Sequence, residues 1–170
     1  MNIDINLYWH ILWTAYPVPV PNRQKNTIDG LYEFYEVLRT NEIEYETSQP
    51  LKAEVHTVKV KPDRPILNPL SIENDLKRLA RESGDRIAGN LPIISILVTS
   101  DRVELLAKFN KDNLQQKIAR LKSISATLLS FSSETEGRKH TLSKGIWYGK
   151  SLNNRFMQFV QNRIIRLNNG

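Results

Sequence analysis

The stretch Ile3-Asp4-Ile5-Asn6-Leu7-Tyr8-Trp9-His10-Ile11-Leu12-Trp13-Thr14-Ala15 decides the fold. Ile3, Ile5, Leu7, Trp9, Ile11, Trp13 and Ala15 are apolar, and the positions between them are mostly polar. Successive side chains of a strand point to opposite faces, so this period of two predicts a long β-strand with one buried face. His10 then shares the outer, half-exposed face with Tyr8 and Asn6. Pro17, Pro19 and Pro21 follow at once and cannot donate ladder hydrogen bonds, so an extended, polyproline-like exit from the sheet is expected.

Working outward, residues 30–40 carry two conflicting signals. Ile28, Leu31, Tyr35 and Leu38 fit a helical stripe, whereas Asp29-Gly30 is a turn signal and the run is rich in aromatics. Strands are the preferred reading, because Ile43, Tyr45 and Thr47 then alternate with Glu42, Glu44 and Glu46. A further strand is expected over residues 52–61, with a slip in phase that suggests a bulge. Asn68-Pro69 reads as a helix start and Gly84 as its stop, with Ile72, Leu76, Leu79 and Ala80 between them.

Leu91 to Thr99 is nearly all apolar, as expected of a central strand covered on both faces. A tight turn at Ser100-Asp101 would lead into Val103 to Phe109 as its hairpin partner. Leu114, Ile118, Leu121, Ile124, Leu128 and Phe131 recur at helical spacing and predict an amphipathic helix. Ile146-Trp147-Tyr148 reads as a short edge strand between Gly145 and Gly149. A last helix from about Ser151 would bury Leu152, Phe156, Phe159, Val160, Ile164 and Leu167, leaving Arg155, Gln158, Asn162, Arg163 and Arg166 outside. Strands come in runs and helices come later. The expected class is therefore α+β, a largely antiparallel sheet packed by about three amphipathic helices in a single domain over residues 1–170.

Composition excludes several chemistries. The 170 residues include no Cys, which removes disulfides, thiol nucleophiles, iron–sulfur clusters and Cys-type zinc sites. The N-terminus has an early acid and no basic region, so no signal peptide is expected, and no apolar run is long enough for a membrane helix. A cytoplasmic protein without membrane contact is the default expectation.

The net charge of +6 conceals a polarity along the chain. Residues 1–50 hold three Lys or Arg against seven Asp or Glu, residues 51–100 eight against six, and residues 101–170 thirteen against five. Thus 1–61 is acidic and strand-rich, 62–110 mixed, and 111–170 basic and helix-rich. No acidic side chain follows Glu136, while Arg138, Lys139, Lys144, Lys150, Arg155, Arg163 and Arg166 do. Cations interleaved with Trp147 and Tyr148 suit an anionic polymer: the charges would neutralise phosphates and the rings would stack on bases. These nine residues are the candidate nucleic-acid contacts, and the start of the last helix adds an anion-attracting terminus. The expected function is a non-enzymatic subunit of a larger complex that binds RNA or single-stranded DNA mainly through the backbone. Protein partners or further copies would meet the N-terminal strand region, and no cofactor or metal is implied.

Other readings are weaker. The basic segment could instead dock an acidic protein surface, making this an assembly protein. Gly145-x-x-x-Gly149-Lys150-Ser151 ends like a phosphate loop but has three residues between its glycines where four are needed. Pro62-Asp63 followed by Asp75-Leu76-Lys77 resembles the loose acid–acid–lysine pattern of a metal-dependent nuclease, yet Asp75 and Lys77 fall within an expected helix. His10, His56 and Glu54 would form an acid–base or metal cluster if their strands paired.

Overall fold

The computed structural model describes residues 7–14, 19–21, 27–48, 93–99, 102–109 and 145–169. They form five strands and two helices: β1 (Leu7–Thr14), α1 (Leu31–Thr40), β2 (Glu46–Thr47), β3 (Ile93–Val98), β4 (Arg102–Phe109), β5 (Trp147–Ser151) and α2 (Asn154–Asn169). The strands make one antiparallel sheet in the order β2-β5-β1-β4-β3, so the class is α+β. The expected strand over 52–61 and the expected helices over 69–83 and 114–131 lie outside the described residues, which contain two helices rather than three. No helix among the described residues is long and apolar enough to cross a membrane.

The period of two in β1 is real, but both of its faces are buried. Trp9, Ile11 and Trp13 fill one side, while His10, Leu12 and Thr14 fill the other. The expectation of a half-exposed outer face is overturned because the helices pack on the face that carries His10 and Leu12, and β1 lies beneath them as the middle strand, hydrogen-bonded to β4 on one side and β5 on the other. A strand so enclosed has no free edge for a partner; among the described strands, only β2 and β3 end the sheet.

Three further expectations change. Residues 31–40 are helical rather than extended: Leu31, Phe34, Tyr35 and Leu38 bury one stripe, and Gly30, at φ 79°, turns the chain into the helix. The Asp29-Gly30 turn signal marks a helix entry, not a hairpin. The helix ends in a Schellman motif: Ile43 N–H bonds the Leu38 carbonyl, Glu42 N–H bonds the Arg39 carbonyl (both 3.0 Å), and Glu42 takes the left-handed conformation at φ 57°. This arrangement tucks Ile43 against the core beside Leu38 and leaves only Glu46–Thr47 as strand.

Among the described strands, β3, expected at the centre, ends the sheet and pairs with β4 alone, and Ile94 in its irregular start is 37% exposed. The hairpin joining them is as expected, with Thr99 N–H donating to the Arg102 carbonyl at 2.9 Å. β5, expected at an edge, is internal and runs through Gly149 to Ser151.

Both helices cover one face of the sheet. Leu12, Leu97, Leu106 and Trp147 from the strands meet Leu31, Tyr35 and Leu38 from α1 and Phe156, Val160 and Ile164 from α2. α2 starts where Asn153 Oδ1 accepts the Arg155 N–H at 2.8 Å, a side-chain cap for one otherwise unpaired donor.

Candidate functional site

Polar chemistry is concentrated inside the molecule, on the helix-covered face of the sheet. Register brings it there. His10 lies opposite Leu106 on β4, and Glu104 lies opposite Leu12, so His10 and Glu104 are diagonal neighbours on one face. On the other flank of β1, His10 faces Gly149. Tyr35 comes down from α1 onto this spot and occupies the volume that a side chain at Gly149 would take.

The resulting contacts form a chain. His10 Nε2 lies 2.7 Å from Glu104 Oε1, and His10 Nδ1 lies 2.8 Å from the Tyr35 hydroxyl. Arg163 Nε, from α2, donates to the same Glu104 oxygen at 2.7 Å, while Arg102 Nε donates to Oε2 at 2.9 Å. Arg163 Nη1 reaches the Gly30 carbonyl at 3.4 Å, and its guanidinium lies over the Phe34 ring with 5.3 Å to the centroid. One carboxylate thus ties β1, β4 and both helices together.

Protonation states follow from the donors. Burial holds the His10 imidazole below its ordinary pKa of 6.5, outweighing the pull of the adjacent carboxylate. Burial by itself would raise the Glu104 pKa, but the His10 hydrogen bond and the Arg163 and Arg102 charges win and hold it well below the carboxylate range. Burial also keeps the Tyr35 phenol protonated, well above its usual value. An ionised carboxylate only accepts, so neutral His10 donates from Nε2 to Glu104, and its Nδ1 accepts from the Tyr35 O–H.

A carboxylate, an imidazole and a hydroxyl in line are the parts of an acid–base relay. Here His10 and Glu104 have no exposed surface and Tyr35 is 2% exposed, so no substrate atom reaches the line. Its role is structural: a buried charge network that locks both helices to the sheet. Sequence reasoning singled out His10 but sought its carboxylate at Glu54. Glu54 and His56 lie outside the described residues, and the carboxylate that His10 meets is Glu104. The available signal was an acid embedded in the apolar run Val103 to Ala107, since a buried charge requires partners.

The nine predicted contact residues do not share one surface. Trp147 is fully buried, its ring edge-on to His10 and Tyr35, so its proposed stacking on a base is corrected: the face of the sheet that it occupies is roofed by helices. Arg163 is corrected likewise, being 3% exposed and committed to Glu104. Tyr148 lies on the opposite face of β5, half-buried and edge-on to Trp9. Lys150 on that same face lies over the Trp9 ring and pairs with Glu46 at 3.0 Å. Arg155 and Arg166 are exposed on α2, with Arg155 Nη1 also touching the Asn41 carbonyl at 3.3 Å. Arg138, Lys139 and Lys144 lie outside the described residues, as do the nuclease-pattern residues Asp63, Asp75 and Lys77.

α2 nevertheless presents an organised outer face. Arg155, Gln158, Asn162 and Arg166 are all exposed and recur at spacings of three and four, making one donor-rich stripe about 16 Å long without an acid in it. Beside its C-terminal half runs a groove of about 550 Å³ between the helices. Val37, Phe159 and Leu167 supply its apolar lining, α2 adds Asn162 and Arg166, α1 adds Glu33, and the turn before α1 adds Asp29. Among the described residues, no group of three or more His, Asp or Glu is placed to hold a metal ion. No protein-family model and no curated protein matches this chain.

Proposed function

We propose that this protein is a non-enzymatic nucleic-acid-binding subunit of a larger complex, holding RNA or single-stranded DNA mainly by its backbone. The observation that carries this reading is the union of two facts. Seven Lys or Arg and no acid follow Glu136 in the sequence, and the exposed stripe Arg155–Gln158–Asn162–Arg166 falls within that segment.

The contact set is Arg138, Lys139, Lys144, Arg155 and Arg166, with Gln158 and Asn162 as neutral donors; Tyr148, on the sheet face away from α2, is outside it. Guanidinium and ammonium groups neutralise phosphates and release their counterions; amide side chains on the same stripe add hydrogen bonds to sugar, phosphate or base edges. Lys150 is a reserve cation, because its charge is already shared with Glu46. Trp147 and Arg163 support the fold beneath this surface and touch no ligand.

The test is binding of labelled single strands over a range of salt concentrations. Each phosphate contact on a single strand contributes about −0.7 to the slope of log affinity against log salt, so five cations predict a slope of about −3.5. Absence of binding to both RNA and single-stranded DNA at low salt would refute the proposal. Salt-sensitive self-association without nucleic acid would favour the assembly reading instead.

A further inference from the structure

The groove between α1 and α2 contains an apparent contradiction for a phosphate-binding surface. Arg166 and Asn162 line one side as the end of the donor stripe, yet Asp29 and Glu33 line the other. A carboxylate repels a phosphate. It does, however, match the part of a nucleotide that presents donors, namely the edge of a base.

We infer that this groove takes one unstacked guanine of the bound strand, with Glu33 accepting hydrogen bonds from the base while Arg166 holds the adjoining phosphate. This inference rests on the nucleic-acid reading above and gives it a base preference. Guanine alone among the four DNA bases offers two adjacent donors on its pairing edge, N1–H and the N2 amino group, and a carboxylate can accept both at once. Adenine presents a ring nitrogen acceptor at the corresponding position, and its lone pair opposes the carboxylate.

Four features support the assignment. Glu33 is exposed on α1 and makes no ion pair among the described residues, so its acceptors are available. Val37 is 47% exposed and Phe159 and Leu167 are half-buried, which provides an apolar lining for the faces of a ring. The groove volume of about 550 Å³ accommodates a nucleoside and is open to the stripe that would carry the backbone. Finally, the guanidinium of Arg163 is fixed beneath the groove by Glu104 and the Gly30 carbonyl, so the floor of the groove is held in place by the fold.

The experiment measures the affinity of the intact protein for single strands of about twelve thymidines. In three further strands one central thymine is replaced by guanine, hypoxanthine or adenine. Guanine should tighten binding by about fivefold or more over the all-thymine strand. Hypoxanthine, which keeps N1–H but lacks the amino group, should fall between, and adenine should bring no gain. In Glu33→Ala the guanine-to-thymine affinity ratio should drop to about 1. Because Glu33 is a solvent-facing helix position, its replacement by Ala keeps the helix, which circular dichroism verifies. Equal affinity for all four strands, or a guanine preference that survives Glu33→Ala, would overturn this inference and leave the backbone-binding reading standing. Absence of binding to every strand at low salt would overturn both.

Discussion

The Tyr35 hydroxyl fills the space directly over Gly149, so closely that a methyl group there would fall well inside contact distance of it. This relationship makes the glycine part of the buried network. Only a backbone without a side chain lets the phenol descend to His10 Nδ1 at 2.8 Å.

Gly149→Ala should therefore destabilise the fold by about 1–3 kcal/mol, the usual cost of forcing extra volume into a packed core. Tyr35→Phe should cost about 1–3 kcal/mol by a different route, leaving His10 Nδ1 buried and unpaired. The double variant should cost less than the sum, because the phenol that clashes with the methyl is gone. Urea denaturation of the four proteins gives the coupling; strict additivity would show that the two residues do not meet.

Glu104→Ala should be the most damaging of the single changes within the network. It strands the Arg163 guanidinium, 3% exposed, together with much of Arg102's pairing, and breaking a buried ion pair from one side costs about 3–5 kcal/mol. Thermal unfolding followed by circular dichroism reads this loss directly. A variant within about 0.5 kcal/mol of the parent would contradict the network's role.

Acid should weaken the fold in two stages, with the sign set by the depressed pKa values of two groups. His10 is neutral in the folded state and its folded pKa lies below 6.5, so the unfolded chain binds the extra proton as pH falls through 6.5. Stability present above that pH is lost progressively below it. Glu104, also depressed, gives stability that is present above its unfolded value of 4.5 and disappears as pH falls through its lower folded pKa. Chemical denaturation between pH 8 and pH 5 should show a midpoint that declines with acid, and His10→Gln should flatten that first stage.

The two arginines one helical turn apart on α2 should separate binding from folding. Arg166→Gln should leave thermal stability nearly unchanged, lower nucleic-acid affinity and make the salt slope shallower by about 0.7. Arg163→Gln should instead lower stability, since its guanidinium is bound to Glu104 and Gly30. If Arg163→Gln altered only binding, its assignment to the core would fail.

Glu42→Gly should stabilise the protein by about 1 kcal/mol. Glu42 holds a left-handed conformation at φ 57° to close the α1 Schellman motif, and a side chain pays for that geometry where glycine does not. A shift in melting temperature checks it, with a decrease counting against the argument.

What the sequence determined by itself was local. Alternation over residues 7–14 specified a strand, and Phe156, Val160 and Ile164 at helical spacing specified α2 and most of its buried face. The α+β class is as expected, although α1 between β1 and β2 breaks the expected order of strands first and helices later. These features are legible because side-chain direction repeats with the backbone period, whatever the rest of the chain does. Tertiary structure decided everything that depends on who faces whom. Whether β1 shows one face or none to solvent depends on its neighbours on both sides and on what covers each face. Whether residues 31–40 become helix or strand turned on a core that could receive Leu31, Tyr35 and Leu38, since the local signals were balanced. Arg163 reads as a surface cation from its helical phase and becomes an interior one because Glu104, 59 residues earlier, is waiting in the sheet. The net charge and its drift along the chain were plain in the sequence; which of those charges meet water was settled only by register and packing.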